Sequence, residues 1–105
     1  MIVNYNDTDY NLANANWTQL ADMATTGYYT VADMSKYHEI LFVYGYLGIE
    51  TQTTILLPIP LFTSARIYLK DNTNGTTCCV SKSANTSIQL MSNSNTSWRL
   101  KVFAR

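Results

Sequence analysis

Charge is scarce in this sequence, and long apolar runs are missing. Charged residues make up 13% of the 105 residues and the formal net charge is zero, whereas soluble proteins average about 25% charged residues. A neutral chain has no electrostatic attraction for nucleic acid or for an anionic membrane surface. No apolar run approaches the roughly 20 residues of a membrane helix, and the N-terminus lacks the basic and apolar regions of a signal peptide. We therefore expect no nucleic-acid partner and no membrane insertion. The chain is expected to be made in the cytoplasm as written, or to be a piece of a longer protein.

Residues that catalyse reactions or bind metals are also few. The two cysteines, Cys78 and Cys79, are adjacent, so on a strand they would lie on opposite faces and form no disulfide with each other. Neither belongs to a group with zinc-binding spacing. The one histidine, His38, is followed by Glu39, whose side chain on a strand faces away from it. The one Asp-x-Asp pair, Asp7 and Asp9, lacks the glycine and the distal glutamate of a calcium-binding loop, and glycine-rich phosphate loops are missing, so we expect no metal, no cofactor and no enzymatic activity.

Uncharged polar residues and tyrosine take the place of charge. Asn, Ser and Thr together make up close to a third of the chain, and there are eight tyrosines. This composition is common in extracellular β-proteins, adhesins and virion surface proteins, and equally in an all-β domain whose turns are simply polar. Composition alone leaves both interpretations open.

Short strands separated by turn residues predict an all-β domain. The main strand spans residues 38–47, and from Ile40 to Tyr44 every side chain is apolar or aromatic, which is typical of a strand covered on both faces. Asn74-Gly75 is the strongest hairpin signal, and Asp33 is expected to cap a single helical turn. The other strands are expected near residues 17–23, 28–31, 53–58, 65–70, 76–82, 87–91 and 98–105.

This spacing predicts an antiparallel, jelly-roll-like β-sandwich of about seven or eight strands over residues 17–105. Residues 1–16 are expected to form an extended lead-in. One face of the main strand should pack on the opposing sheet. Because so small a domain cannot cover both faces of many strands, the other face is expected at a subunit interface or under the loop at residues 61–62.

Exposed aromatic side chains are the candidates for ligand binding. A ring stacks on the apolar face of a sugar, while Asn, Thr and Ser hydrogen-bond to hydroxyls. Tyr68, between Arg66 and Lys70 on a polar strand face, is the best candidate. For Tyr44 and Tyr46, core or subunit packing is the favoured alternative. The further aromatic candidates are Tyr28, Tyr29 and Trp98.

The last strand offers a second candidate surface. Arg99, Lys101, Phe103 and Arg105 share one of its faces and form a cationic stripe around an aromatic ring. This stripe suits an anionic sugar or another subunit, or is a solvated edge. The predicted ligand-binding residues are therefore Tyr68, Arg66, Arg99 and Phe103.

Four segments in a fixed order carry a family resemblance. They are Ser-Lys-Tyr-His-Glu-Ile-Leu-Phe-Val at residues 35–43, Ile-Leu-Leu-Pro-Ile-Pro-Leu-Phe at residues 55–62, the alternating strand at residues 65–70, and Trp-Arg-Leu-Lys-Val-Phe-Ala-Arg at residues 98–105. This order resembles the C-terminal β-sandwich head domains of bacteriophage tail fibres and minor tail proteins. The resemblance implies a homotrimer at the tail tip of a virion, made in the host cytoplasm, which contacts other tail proteins and binds host surface carbohydrate. It assigns no binding residue.

Two other functions stay open. The first is a purely structural virion module, such as a capsid decoration or tail component, that binds no glycan. The second is a small enzyme, for instance a glycan hydrolase, in which His38 would be the only candidate base.

Overall fold

The computed structural model describes residues 2–5, 8–11, 16–47, 50–72 and 74–105. Within these ranges the chain forms strands and two 3-10 turns, Met34–Lys36 and Ile59–Leu61. The strands are β1 (Ile2–Tyr5), β2 (Thr8–Asn11), β3 (Thr18–Met23), β4 (Gly27–Thr30), β5 (Glu39–Tyr46), β6 (Glu50–Pro58), β7 (Ile67–Lys70), β8 (Thr77–Ala84), β9 (Ser87–Asn93) and β10 (Trp98–Ala104). None of the described residues belongs to a helix long and apolar enough to cross a bilayer.

Eight of these strands form a sandwich of two antiparallel sheets. The first sheet has the order β3-β10-β5-β6, and the second has the order β4-β9-β8-β7. The predicted all-β antiparallel sandwich is confirmed. Its jelly-roll-like feature is the nested pairing of β3 with β10 and of β4 with β9, whereas β5–β6 and β7–β8 are hairpins within one sheet.

The main strand, β5, lies inside the first sheet between β10 and β6. Ile40, Phe42 and Tyr44 face the second sheet and are fully buried in the principal core. Leu41 and Val43 face the other way, yet they too are buried. The prediction of a strand covered on both faces is therefore confirmed.

The outer cover of β5 differs from the expectation. Leu41 and Val43 pack in a second cluster with Phe103, and Trp17 and Leu56 lie against it. This cover comes from the same chain, so the burial of β5 does not depend on another subunit.

The loop expected on that outer face lies elsewhere. The ring of Phe62 packs edge-on against Phe42, with centroids 5.1 Å apart, in the core between the sheets. Leu61 remains 63% exposed. The prediction that residues 61–62 cover the outer face of β5 is therefore wrong, because Phe62 turns inward and Leu61 turns to solvent.

Local turn chemistry follows the sequence closely. Asp33 caps the first 3-10 turn, since its Oδ1 accepts hydrogen bonds from Ser35 N at 3.0 Å and Ser35 Oγ at 2.7 Å. Gly75 adopts a φ of 69° in the β7–β8 hairpin, a left-handed conformation that favours glycine. Its N–H donates to Asp71 O at 2.7 Å. β6, which ends at Pro58, lies at the edge of its sheet, as expected of a strand that proline ends.

The lead-in contains two strands that the sequence did not reveal. β1 and β2 pair with each other in an antiparallel two-stranded sheet, and β1 lies beside β6. Both strands are extended, in keeping with the expected extended lead-in. The boundary between a lead-in over residues 1–16 and a sandwich over residues 17–105 stays a prediction.

Candidate functional site

The best candidate site is a cleft on the outer face of the second sheet, next to Tyr68. Ile67 packs against the core and Leu69 is buried, so the alternation of β7 turns Tyr68 outward, where it is 64% exposed. Tyr68 pairs with Cys79 of β8. A shallow cavity of about 180 Å³ opens beside the ring, and its lining consists of Arg66, Tyr68, Cys79, Met91 and Ser92. We call this cavity the Tyr68 cleft.

The cleft combines a positive charge, a phenol ring and a floor made of two sulfur-containing side chains. Arg66 carries its positive charge at any working pH, and a side-chain hydrogen bond to Tyr68 raises the pKa of its guanidinium further. Cys79 Sγ lies 3.9 Å from Met91 Sδ at the floor, and Cys79 is buried. Tyr68 and Arg66, which the sequence predicted as ligand-binding residues, thus line one cavity.

The same sheet face continues away from the cleft to a second tyrosine. Tyr28 of β4 pairs with Gln89 of β9, which pairs in turn with Ser81 of β8. Residues paired in register share a face of the sheet, and Tyr28 is 68% exposed. Between the two tyrosines the middle strands present Ser81 and Cys79, which are buried short side chains. We call this surface, from Tyr28 to Tyr68, the second-sheet outer face.

A second cavity lies at the end of the sandwich where β8 turns into β9. Its volume is about 500 Å³, and it is lined by Ser35, Ile59, Pro60, Phe62, Thr63, Ser64, Lys82, Ser83, Ala84 and Asn85. Lys82 is the one charged side chain in this lining. The rim is rich in hydroxyl and amide groups, but Phe62, its one aromatic residue, is buried and offers no ring to a ligand.

The other two predicted residues, Arg99 and Phe103, lie on β10 in the first sheet, and the structure does not bring them to the Tyr68 cleft. Phe103 is only 6% exposed because it packs against Leu41 and Val43. Arg99 Nε donates to Asp22 Oδ1 at 2.6 Å. A buried ring cannot stack on a sugar, so Phe103 does not serve as predicted, whereas ligand binding by Arg99 stays a prediction.

The positive charge of Arg105, at the C-terminal end of the stripe, is also neutralised. Arg105 Nε donates to Glu39 Oε2 at 3.2 Å, and the guanidinium lies 4.3 Å from the centre of the Trp17 ring. The acidic partners of both arginines come from neighbouring strands that are distant in sequence. Strand alternation identified the face correctly, but it carries no information on these partners.

Tyr44 is a core residue and does not face a ligand. Burial raises the pKa of this phenol, and its hydroxyl donates to Asn93 Oδ1 at 2.5 Å, with Thr77 O at 3.2 Å. The packing alternative for Tyr44 is therefore confirmed. Asn93 was missed from the sequence because nothing distinguishes it from the other asparagines in polar turns.

The candidate base and metal ligands are dispersed. His38 is exposed, and its backbone N–H donates to Arg105 O at 2.8 Å. The neighbouring carboxylate of Glu39 is bound by Arg105. In the part of the chain that the structure describes, no three His, Cys, Asp or Glu residues gather into a metal-binding group. Both cysteines are free.

No family model, curated protein or solved structure matches this chain. The resemblance to phage tail heads thus remains an expectation drawn from four sequence segments. Any functional proposal must come from the faces and cavities described above.

Proposed function

We propose that this domain is a non-enzymatic carbohydrate-binding module that holds a glycan in the Tyr68 cleft. The observation that carries the proposal is a tyrosine ring, 64% exposed, which lies beside an arginine at the mouth of a cavity. An exposed ring stacks on the apolar face of a sugar. The arginine and the hydroxyl of Ser92 supply the hydrogen bonds that orient the sugar hydroxyls.

The position of Tyr68 favours binding because the ring is held before any ligand arrives. Its neighbours Ile67 and Leu69 anchor β7 in the core, and Arg66 lines the same cavity as the ring. A tyrosine has few rotatable bonds, so little conformational entropy is lost when such a ring is covered. A shallow cleft of this kind suits weak binding that several copies reinforce.

The biological setting is part of the proposal. By its resemblance, the domain is a receptor-binding head at the tail tip of a phage virion, made in the host cytoplasm, that acts as a homotrimer on host surface carbohydrate and contacts other tail proteins. A single chain covers both faces of β5, so the burial of this strand is no argument for a trimer. The proposed trimer is supported instead by exposed apolar side chains. These are Leu47, which is 52% exposed, and Leu61, which is 63% exposed.

The same two leucines favour a second candidate function. They lie at opposite ends of the sandwich, in the loops after β5 and β6. Apolar groups at both ends suit a domain held between other virion proteins. In that case the domain is a structural capsid or tail component without a glycan ligand.

Binding of the purified protein to an array of microbial surface polysaccharides distinguishes the two functions. We expect binding to at least one polysaccharide class. Tyr68→Ala should weaken it about tenfold, because stacking contributes about 1 kcal/mol or slightly more. Tyr68→Phe keeps the ring and should lose much less. A folded protein that binds no polysaccharide on the array would support the structural function instead.

A further inference from the structure

We propose that the glycan is acidic and linear, and that it crosses the second-sheet outer face from Tyr68 on β7 to Tyr28 on β4. This inference rests on the proposed carbohydrate-binding function and specifies its ligand class. It assigns a second stacking position, Tyr28, and a route between the two rings.

The strand register fixes the geometry of that route. Tyr28, Gln89 and Ser81 form one cross-strand row, and Cys79 with Tyr68 forms the next row on the same face. β4 and β7 are the two edge strands of this sheet. Three strand spacings separate them by about 14 Å, and a shift of two residues along the strands adds about 7 Å at right angles, so the tyrosines are roughly 16 Å apart.

This span sets a minimum ligand length. A monosaccharide or disaccharide cannot reach both tyrosines, whereas a chain of roughly three or more pyranose rings can cover 16 Å. Ser81 and Cys79 between them have short side chains that do not project from the face, so neither of them obstructs a chain that runs from one ring to the other. Gln89 and Ser92 provide amide and hydroxyl groups along its course.

The charge distribution indicates an acidic chain. The four strands of the second sheet contain no Asp or Glu, whereas Lys70 ends β7 and Arg66 immediately precedes it; Asp71, which follows β7, is buried. Arg66 and Lys70 therefore give the part of this face around Tyr68 a local positive charge, although the protein as a whole is neutral. A carboxylate or phosphate on the glycan would complement that charge.

These cations also differ from those of the first sheet. In the ranges that the structure describes, the ion pairs are Arg99–Asp22 and Arg105–Glu39. Arg66 and Lys70 take part in neither, and both are exposed beside Tyr68. Two cations of the first sheet, Arg99 and Arg105, are thus neutralised within the chain, whereas Arg66 and Lys70 are available to a ligand.

The test uses acidic microbial polysaccharides together with carboxyl-reduced copies of the same polymers, and oligosaccharide fragments of increasing length. Reduction keeps the rings and linkages but removes the negative charge. We expect reduction of the carboxyl groups to weaken binding about tenfold or more, and Arg66→Gln to reproduce that loss on the unreduced polymer. Tyr28→Ala should weaken binding of long fragments about tenfold and leave the shortest fragments unaffected.

Matched controls keep the outcomes separate. Lys101→Gln removes a cation from the opposite sheet and should not change glycan binding.

If neutral polymers bind through Tyr68 as well as the acidic ones do, or if Tyr28→Ala has no effect at any length, the proposal of an acidic linear glycan is overturned and carbohydrate binding stands. If oligothymidylate binds as tightly as the acidic glycans, the face recognises polyanions with stacking rings rather than sugars. If no polymer binds, both proposals fail.

Discussion

The hydroxyl of Tyr44 donates a hydrogen bond to Asn93 Oδ1 across 49 residues of sequence. The amide Nδ2 of Asn93 donates in turn to Ala24 O at 2.8 Å and to Trp98 O at 2.9 Å. One side chain thereby joins β5, the β3–β4 turn and the start of β10 at a single end of the sandwich. The ring of Trp98 lies 5.3 Å from that of Tyr44 and helps to exclude water from the network.

Asn93→Ala is expected to destabilise the fold by about 2 to 3 kcal/mol, because it leaves two carbonyl groups without their donor and removes the nearer of the two acceptors of the Tyr44 hydroxyl. Urea denaturation measures the loss as a lower midpoint. Asn72→Ala, at an exposed turn position, is the matched control and should leave the midpoint within experimental error. An unchanged midpoint for Asn93→Ala would mean that water replaces the amide at no cost.

Stability should fall at alkaline pH because two buried acids resist ionisation in the folded state. Burial raises the pKa of Cys78 to about 12 from 9.0, and burial also raises that of Tyr44 above its ordinary 10.0. Both groups are neutral in both states below about pH 8, so there they contribute no pH dependence. Above that pH the unfolded chain loses these protons first, which favours unfolding by up to about 1.4 kcal/mol per pH unit for each group.

Urea denaturation in the presence of a reductant, from about pH 8 to about pH 11, measures this decline. Cys78→Ala removes the first group, so the decline should begin roughly one pH unit later, with the titration of tyrosine in the unfolded chain. The variant will be less stable throughout because it leaves a small cavity. The pH at which the decline begins, rather than the absolute stability, is therefore the decisive quantity, and an onset that does not move would contradict the assignment.

The sequence predicted those features that depend on neighbours along the chain. Alternation placed Tyr68 outside, and local hydrogen bonding placed the cap at Asp33. Features that depend on strand register were not predictable. The carboxylate of Asp22 meets Arg99 only because β3 pairs with β10, and Phe103 is buried only because the outer face of β5 is covered.

Arg99 and Phe103 should respond in opposite ways to substitution. Arg99 and Asp22 form an ion pair whose side chains are about a third exposed, so Arg99→Gln should cost less than about 1 kcal/mol. Phe103→Ala removes a buried ring from the cluster with Leu41 and Val43 and should cost about 3 kcal/mol or more. Urea denaturation of the two variants provides the comparison, and neither variant that still folds should lose glycan binding. Loss of binding in folded Arg99→Gln would restore the stripe as a ligand site.

Cys79 offers a way to examine the Tyr68 cleft without knowing the glycan. Cys79 lies at the cleft floor, 3% exposed, with the ring of Tyr68 beside it. If the ring limits access, Tyr68→Ala should raise the rate at which a small thiol reagent modifies Cys79 several-fold. Mass spectrometry assigns the modified residue, and Cys79→Ser is the control.

Cys78 provides the internal reference for this measurement. It is fully buried in the principal core, and burial raises the pKa of its thiol to about 12, so it should react only when the domain unfolds. Faster modification of Cys79 alone would therefore report opening of the cleft, whereas equal acceleration at both cysteines would report global destabilisation. A bound glycan should slow the modification of Cys79 in the wild-type protein and leave Cys78 unaffected. Unchanged reactivity of Cys79 in Tyr68→Ala would show that the ring does not cover the floor, and it would remove the cleft geometry on which glycan binding is proposed.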